Sequence, residues 1–134
     1  MLNRANTRGP GAAVKRPLVA VVDNDPAVCG SLKFSLELDG FAVCTYPSGA
    51  TLLQSRELDL CDCFVIDQRM PGMSGMELVD ALRRRQLSTP VILIISQPND
   101  ALSALAAKLA IPIIEKPLFG DALVERIREA CGLA

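Results

Sequence analysis

Residues 65–78 read VIDQRMPGMSGMEL. An apolar run closes on a carboxylate, Asp67. Ser74-Gly75-Met76-Glu77 then forms a capping box, in which a Ser hydroxyl and a Glu carboxylate three residues on bond each other's backbone amides and open a helix. Leu78 and Leu82 share one face of that helix and turn inward. The stretch is a strand-to-helix unit with an acid at its joint.

The same alternation runs along the chain. Apolar runs at Leu18–Val22, Phe41–Tyr46, Cys63–Ile66, Val91–Ile95 and Ile111–Ile114 read as strands, and the first, fourth and fifth are continuous, as strands covered on both faces are. Helices are expected over Pro26–Leu38, with Asp25 as N-cap and Gly40 as the stop, and from a Ser48 cap through Leu53. Further helices are expected from Ser74, over Asp100–Leu109 and over Asp121–Cys131. In the fourth, Leu102, Leu105 and Leu109 are expected to face the core and Ala101, Ala104 and Ala107 the outside. The pattern predicts an α/β, flavodoxin-like (βα)5 fold: a five-stranded parallel sheet in order 2-1-3-4-5 with helices on both faces, over residues 17–134. Residues 1–16 lack periodicity and are expected to form a mobile tail.

Composition narrows the function. Fourteen basic and fifteen acidic residues nearly cancel, which gives no drive toward a nucleic-acid backbone or an anionic membrane. No run approaches the roughly 20 apolar residues of a membrane span, and no secretory signal opens the chain, so a cytoplasmic protein is expected. Five cysteines, an odd number, fit reduced core thiols, and Cys61 and Cys63 are read as strand residues rather than zinc ligands. The chain has no histidine, so any phosphohistidine chemistry belongs to a partner.

In open parallel sheets ligands bind beyond the carboxyl ends of the strands, where the strand order reverses. Strand 1 ends at Asp23, strand 3 at Asp67, strand 4 near Ser96 and strand 5 at Lys116. Two facing carboxylates repel by roughly 4 kcal/mol at 4 Å and an effective dielectric near 20. A divalent cation such as Mg²⁺ relieves that repulsion and orients phosphate oxygens, while an ammonium neutralises developing charge. The set suits phosphoryl transfer onto a carboxylate.

VVDNDPAV (21–28), VIDQRMPGMSGMEL (65–78) and IEKP (114–117) together resemble the signature blocks of the receiver domain of bacterial two-component response regulators, nearest the FixJ-like subgroup, over residues 17–131. The resemblance implies that Asp67 takes a phosphoryl group from a phosphohistidine of a histidine kinase or phosphotransfer protein. It implies Mg²⁺ held by Asp23, Asp67 and the backbone carbonyl of Arg69, with Lys116 on the acyl phosphate and a cis bond to Pro117. Ser96 matches the phosphate-binding hydroxyl, although counting from Pro90 puts Ile95 there instead. The face of helix 4, strand 5 and helix 5 is implied as a homodimer or target-docking surface.

Two positions depart from the family. Asn24 stands where a second metal-binding acid is usual; its amide oxygen can ligate but carries no charge, so weak Mg²⁺ binding is expected. Asp25, the tempting substitute, is expected to be held as a helix cap. Ile113 replaces the usual aromatic three residues before the lysine, leaving any switching to loop and helix movement. Two alternatives stay open: a phosphorylation-independent pseudo-receiver, and a haloacid-dehalogenase-like phosphatase with Asp23 as nucleophile and Asp25 as general acid. With few residues after the last helix, the chain is expected to be a single-domain regulator or a piece of a longer one.

Overall fold

The computed structural model describes residues 16–118 and 120–133. The expected tail lies outside them except for Arg16, whose guanidinium donates to the Phe41 carbonyl at 3.1 Å. In chain order the elements are β1 (Leu18–Val22), α1 (Pro26–Leu38), β2 (Ala42–Tyr46), α2 (Gly49–Leu53), a 3-10 turn (Leu58–Leu60), β3 (Cys63–Asp67), α3 (Gly75–Arg84), β4 (Val91–Ile95), α4 (Asp100–Lys108), β5 (Ile113–Glu115) and α5 (Ala122–Ala130). All strand pairs are parallel and the sheet order is β2-β1-β3-β4-β5.

Side chains alternate between two apolar layers, as the two-residue period of a strand requires. Ala20, Val22, Phe64, Ile66, Leu93 and Ile95 face one layer with Leu52, Leu78 and Leu82. Val19, Val21, Val65, Ile92 and Ile94 face the other with Leu36, Leu123 and Ile127. Helices α2, α3 and α4 therefore cover one side of the sheet, α1 and α5 the other.

Two strand starts differ from the sequence expectation for one reason. Phe41 and Ile111 lie outside β2 and β5 because their amides bond Leu36 and Ala106 carbonyls, five residues back, at 3.1 and 2.8 Å. Each follows a residue at positive φ, Gly40 at 97° and Ala110 at 58°, which is the Schellman closure of a helix. Gln86, at 65°, and Gly132, at 75°, close α3 and α5 in the same way, with Leu87 and Leu133 donating. Pro112, lacking an amide, contributes only its carbonyl to Leu93, so β5 pairing begins at Ile113.

Helix α4 corrects the expected stripe. Leu105 and Leu109 are 44% and 48% exposed, while Ala106 is buried at 1%. The four-residue spacing fits Leu102–Ala106 as well as Leu105–Leu109, and α4 turns the alanine side to the sheet. Among the described residues no helix is long and apolar enough to cross a membrane. All five cysteines are free thiols. Burial pushes the Cys61 thiol up to about 12 and raises Cys63 further, and the two lie in opposite apolar layers. No group of three metal-binding side chains gathers among the described residues.

An L side chain in the left-handed region is strained, so Ala110→Gly is expected to stabilise the chain by about 0.5–1 kcal/mol. Urea unfolding measures it; an unchanged or lowered midpoint refutes the strain argument.

Candidate functional site

The site lies at the carboxyl ends of β1, β3 and β5. Asp23 continues β1, its amide bonding the Tyr46 carbonyl at 3.1 Å, and is buried at 4% exposure. Its Oδ1 accepts the Asp25 amide at 2.9 Å, which closes a tight turn after the strand. Asp25 accepts the Ala27 amide through Oδ1 at 2.9 Å, with Pro26 in the first turn of α1. The three positions of Asp-Asn-Asp thus diverge: Asp23 faces inward, Asn24 is exposed and Asp25 is a helix cap. That cap role removes Asp25 from any inward chemistry, including the general acid of a phosphatase.

Asp67, the last residue of β3, is buried at 5% exposure. Lys116 follows β5, its amide bonding the Ile95 carbonyl at 2.7 Å, and its bond to Pro117 is cis, as the resemblance implied. The Lys116 ammonium stands 3.5 Å from Asp23 Oδ2 and 3.5 Å from Asp67 Oδ1. The contact to Asp23 has hydrogen-bond geometry; the one to Asp67 is an ion-pair approach only, and Asp67 Oδ1 is buried without a hydrogen-bond partner.

Two buried carboxylates and one ammonium leave an excess negative charge. Burial first, and then the charge of Asp23, raise the Asp67 carboxyl above the ordinary range, while Lys116 and the Arg69 backbone amide oppose the rise. The orphaned oxygen and the uncompensated charge fit a bound cation.

Asp23, Asp67 and Lys116 therefore meet as expected, and Ser96 follows β4 beside Gln68 and Arg69, the residues after Asp67. Ile95 is buried in the α4-side layer, so the hydroxyl at the end of β4 is that of Ser96. It is exposed and borders a hollow shared with Gln68, Arg69, Ser74 and Asn99. Ile113 joins the same aliphatic layer as Ile95.

The β3–α3 joint holds residues the sequence reading passed over. Gln68 accepts the Gly75 amide through its carbonyl at 3.0 Å and the Met76 amide through Oε1 at 2.9 Å. A Cβ on Gly75 would lie 2.9 Å from the Asp67 carbonyl oxygen and 2.9 Å from Gln68 Cα, so only glycine lets α3 start this close to the strand. The capping box is formed as expected, Ser74 Oγ accepting from Glu77 and Glu77 Oε1 from Ser74.

The family model for the response regulator receiver domain matches residues 19–128. The chain belongs to this family. The transcriptional regulatory protein FixJ of Azorhizobium caulinodans is 37% identical over 115 residues, covering 85% of this chain and 54% of that protein. FixJ of Bradyrhizobium diazoefficiens is 32% identical over 113 residues, covering 84% and 55%. The chain thus spans about half the length of these curated relatives. Among solved structures, the response regulator StyR superposes with a TM-score of 0.81 at 32% identity, over 89% of this chain and 61% of StyR. The receiver domain of the Francisella response regulator 1452 gives 0.80 at 25% identity, over 87% and 98%. In this receiver domain the shared architecture and the acidic rim coincide.

The raised Asp67 carboxyl has a stability consequence. The folded receiver holds that proton to higher pH than the unfolded chain does, so its stability falls as pH rises from the ordinary carboxylate range through the raised value. Without divalent cations, Asp67→Asn is expected to raise the thermal midpoint by about 2–5 °C at pH 7 and to change it little at pH 4. Calorimetry at both pH values checks this; equal shifts would show that charge is not the cause.

Proposed function

We propose that Asp67 accepts a phosphoryl group from a phosphohistidine on a partner histidine kinase or phosphotransfer protein, and that the chain signals through the resulting change in surface conformation. The observation that carries this reading is the buried, unpartnered Asp67 Oδ1 facing the Lys116 ammonium at 3.5 Å. An ionised carboxylate oxygen without a hydrogen bond keeps a lone pair for attack. As its bond to phosphorus forms, the phosphorus–nitrogen bond breaks and its electron pair leaves with the imidazole. Lys116 meets the negative charge gathering on the phosphoryl oxygens, and the Ser96 hydroxyl donates to one of them.

Asp23, Asp67, the Asn24 amide oxygen and the Arg69 carbonyl would hold Mg²⁺. When bound, the ion neutralises and orients phosphoryl oxygens. An amide in place of one carboxylate lowers the charge of the site, so the affinity is weak.

The donor has a surface to dock on. A mostly apolar groove runs from Lys116 between α1 and the segment after β5, lined by Ala27, Ser31, Leu32, Pro117 and Leu118. Further along α1, Phe34 and Leu38 stand outward at 68% and 74% exposure, so a partner helix laid along α1 finds apolar contacts and ends beside Asp67. The exposed Leu105 and Leu109 mark the α4–β5–α5 face for a second copy or a target protein. Free thiols suit a relay in the reducing cytoplasm.

Asn24 and Ile113 are the two departures that would suit a pseudo-receiver, which binds a partner without phosphate, but membership of the receiver family does not favour that reading. Acetyl phosphate with Mg²⁺ separates the two: the expected result is a mass gain of one phosphoryl group that Asp67→Ala abolishes. No gain at any Mg²⁺ concentration would leave the pseudo-receiver.

Restoring the missing charge is expected to strengthen the cation site. Asn24→Asp should lower the Mg²⁺ concentration for half-maximal labelling by about tenfold. An unchanged requirement would remove Asn24 from the metal site.

A further inference from the structure

The first turn of a helix presents backbone amides with no partner inside the helix. In α3 three of them are taken by two side chains and one carbonyl. The Gly75 amide donates to the Gln68 carbonyl at 3.0 Å, the Met76 amide to Gln68 Oε1 at 2.9 Å, and the Glu77 amide to Ser74 Oγ at 3.2 Å. Two of the three acceptors therefore belong to the residue that directly follows Asp67. The amide of Gln68 is held as well, donating to the Ile94 carbonyl of β4 at 2.9 Å.

Gln68 is thus fixed on one side to the sheet and on the other to α3 by two acceptors. Gly75 lets the helix close against it, since an added Cβ there would lie 2.8 Å from Leu93 Cδ1 and 2.9 Å from Gln68 Cα. Asp67 precedes this clamp and Arg69 follows it, so the clamp limits rotation of the peptide units on both sides.

We infer that Gln68 is a positioning residue: its side-chain bond to Met76, added to the backbone bonds, sets where the Asp67 carboxylate and the Arg69 carbonyl stand relative to Asp23. The inference rests on the proposed metal and phosphoacceptor site but is open to a test that needs no phosphorylation. A side chain that merely fills space would be replaced by any residue of similar shape. A positioning acceptor is replaced only by another acceptor of the same reach.

Three variants distinguish these cases. Gln68→Met keeps length and volume without the acceptor, Gln68→Asn keeps the amide one carbon short of Met76, and Gln68→Glu keeps the acceptor at full reach. Binding is followed with Mn²⁺, free ion being counted by electron paramagnetic resonance, alongside hydrogen exchange at the Met76 amide and labelling by acetyl phosphate with Mg²⁺. Gln68→Met and Gln68→Asn are expected to speed Met76 exchange, weaken Mn²⁺ binding several-fold and slow labelling by about tenfold at saturating phosphodonor, the scale of a small misplacement of reacting groups. Gln68→Glu is expected to restore slow exchange and wild-type labelling, and to bind Mn²⁺ at least as tightly as wild type.

Wild-type Mn²⁺ affinity in both Gln68→Met and Gln68→Asn would overturn the inference, as would failure of Gln68→Glu to restore Mn²⁺ binding. If wild type binds Mn²⁺ but takes no label, the phosphoacceptor reading fails while the Mn²⁺ comparison still decides the role of Gln68. If wild type binds no Mn²⁺, the inference falls with the metal site. A variant that unfolds is identified by its thermal transition, and the remaining two then decide.

Discussion

One ammonium between two buried carboxylates is the constraint around which the receiver domain is arranged. Lys116 reaches Asp23 and Asp67 at equal distance, yet it bonds only Asp23 fully and leaves one oxygen of Asp67 unpartnered. Complete neutralisation would make an inert structural triad, and no neutralisation would make burial of the acids prohibitive. The arrangement lies between these limits, stable enough to fold and unsatisfied enough to attract a positive group. The ends of β1, β3 and β5 must arrive at one rim for this to happen, which an all-parallel sheet in the order β2-β1-β3-β4-β5 provides.

Most of the architecture was legible because strand and helix periods are written plainly in this chain. Continuous apolar runs at β1 and β4 and the Ser74 capping box set the elements and their order, and the acids at the strand ends followed. What was not legible depended on hydrogen bonds that composition does not encode. Phe41 and Ile111 look like strand residues, but their amides are committed to the preceding helices. In α4 hydrophobicity favoured the leucines, whereas the position beneath the helix belongs to Ala106, and sequence spacing alone does not rank the two stripes.

In the site, the residues that carry charge were identified from sequence and the residues that hold them still were not. Asp25 was the exception, because a cap followed by proline has a local signature. Gln68 has none: its partner Met76 lies on the next element, and the contact exists only because Gly75 permits the close approach. Ser96 shows the opposite limit. A hydroxyl was expected at the end of β4, and one is there, but the strand directs Ile95 inward and leaves Ser96 on the rim with Gln68 and Arg69.

The free thiols give the fold an internal clock. Cys61 and Cys63 are two residues apart yet buried in opposite layers, one on the side covered by α2, α3 and α4 and the other on the side covered by α1 and α5. An alkylating reagent reaches each only when its own layer opens, since a buried, protonated sulfur is a poor nucleophile. The order in which the two are modified would therefore time the loosening of each side of the sheet separately, with no label introduced.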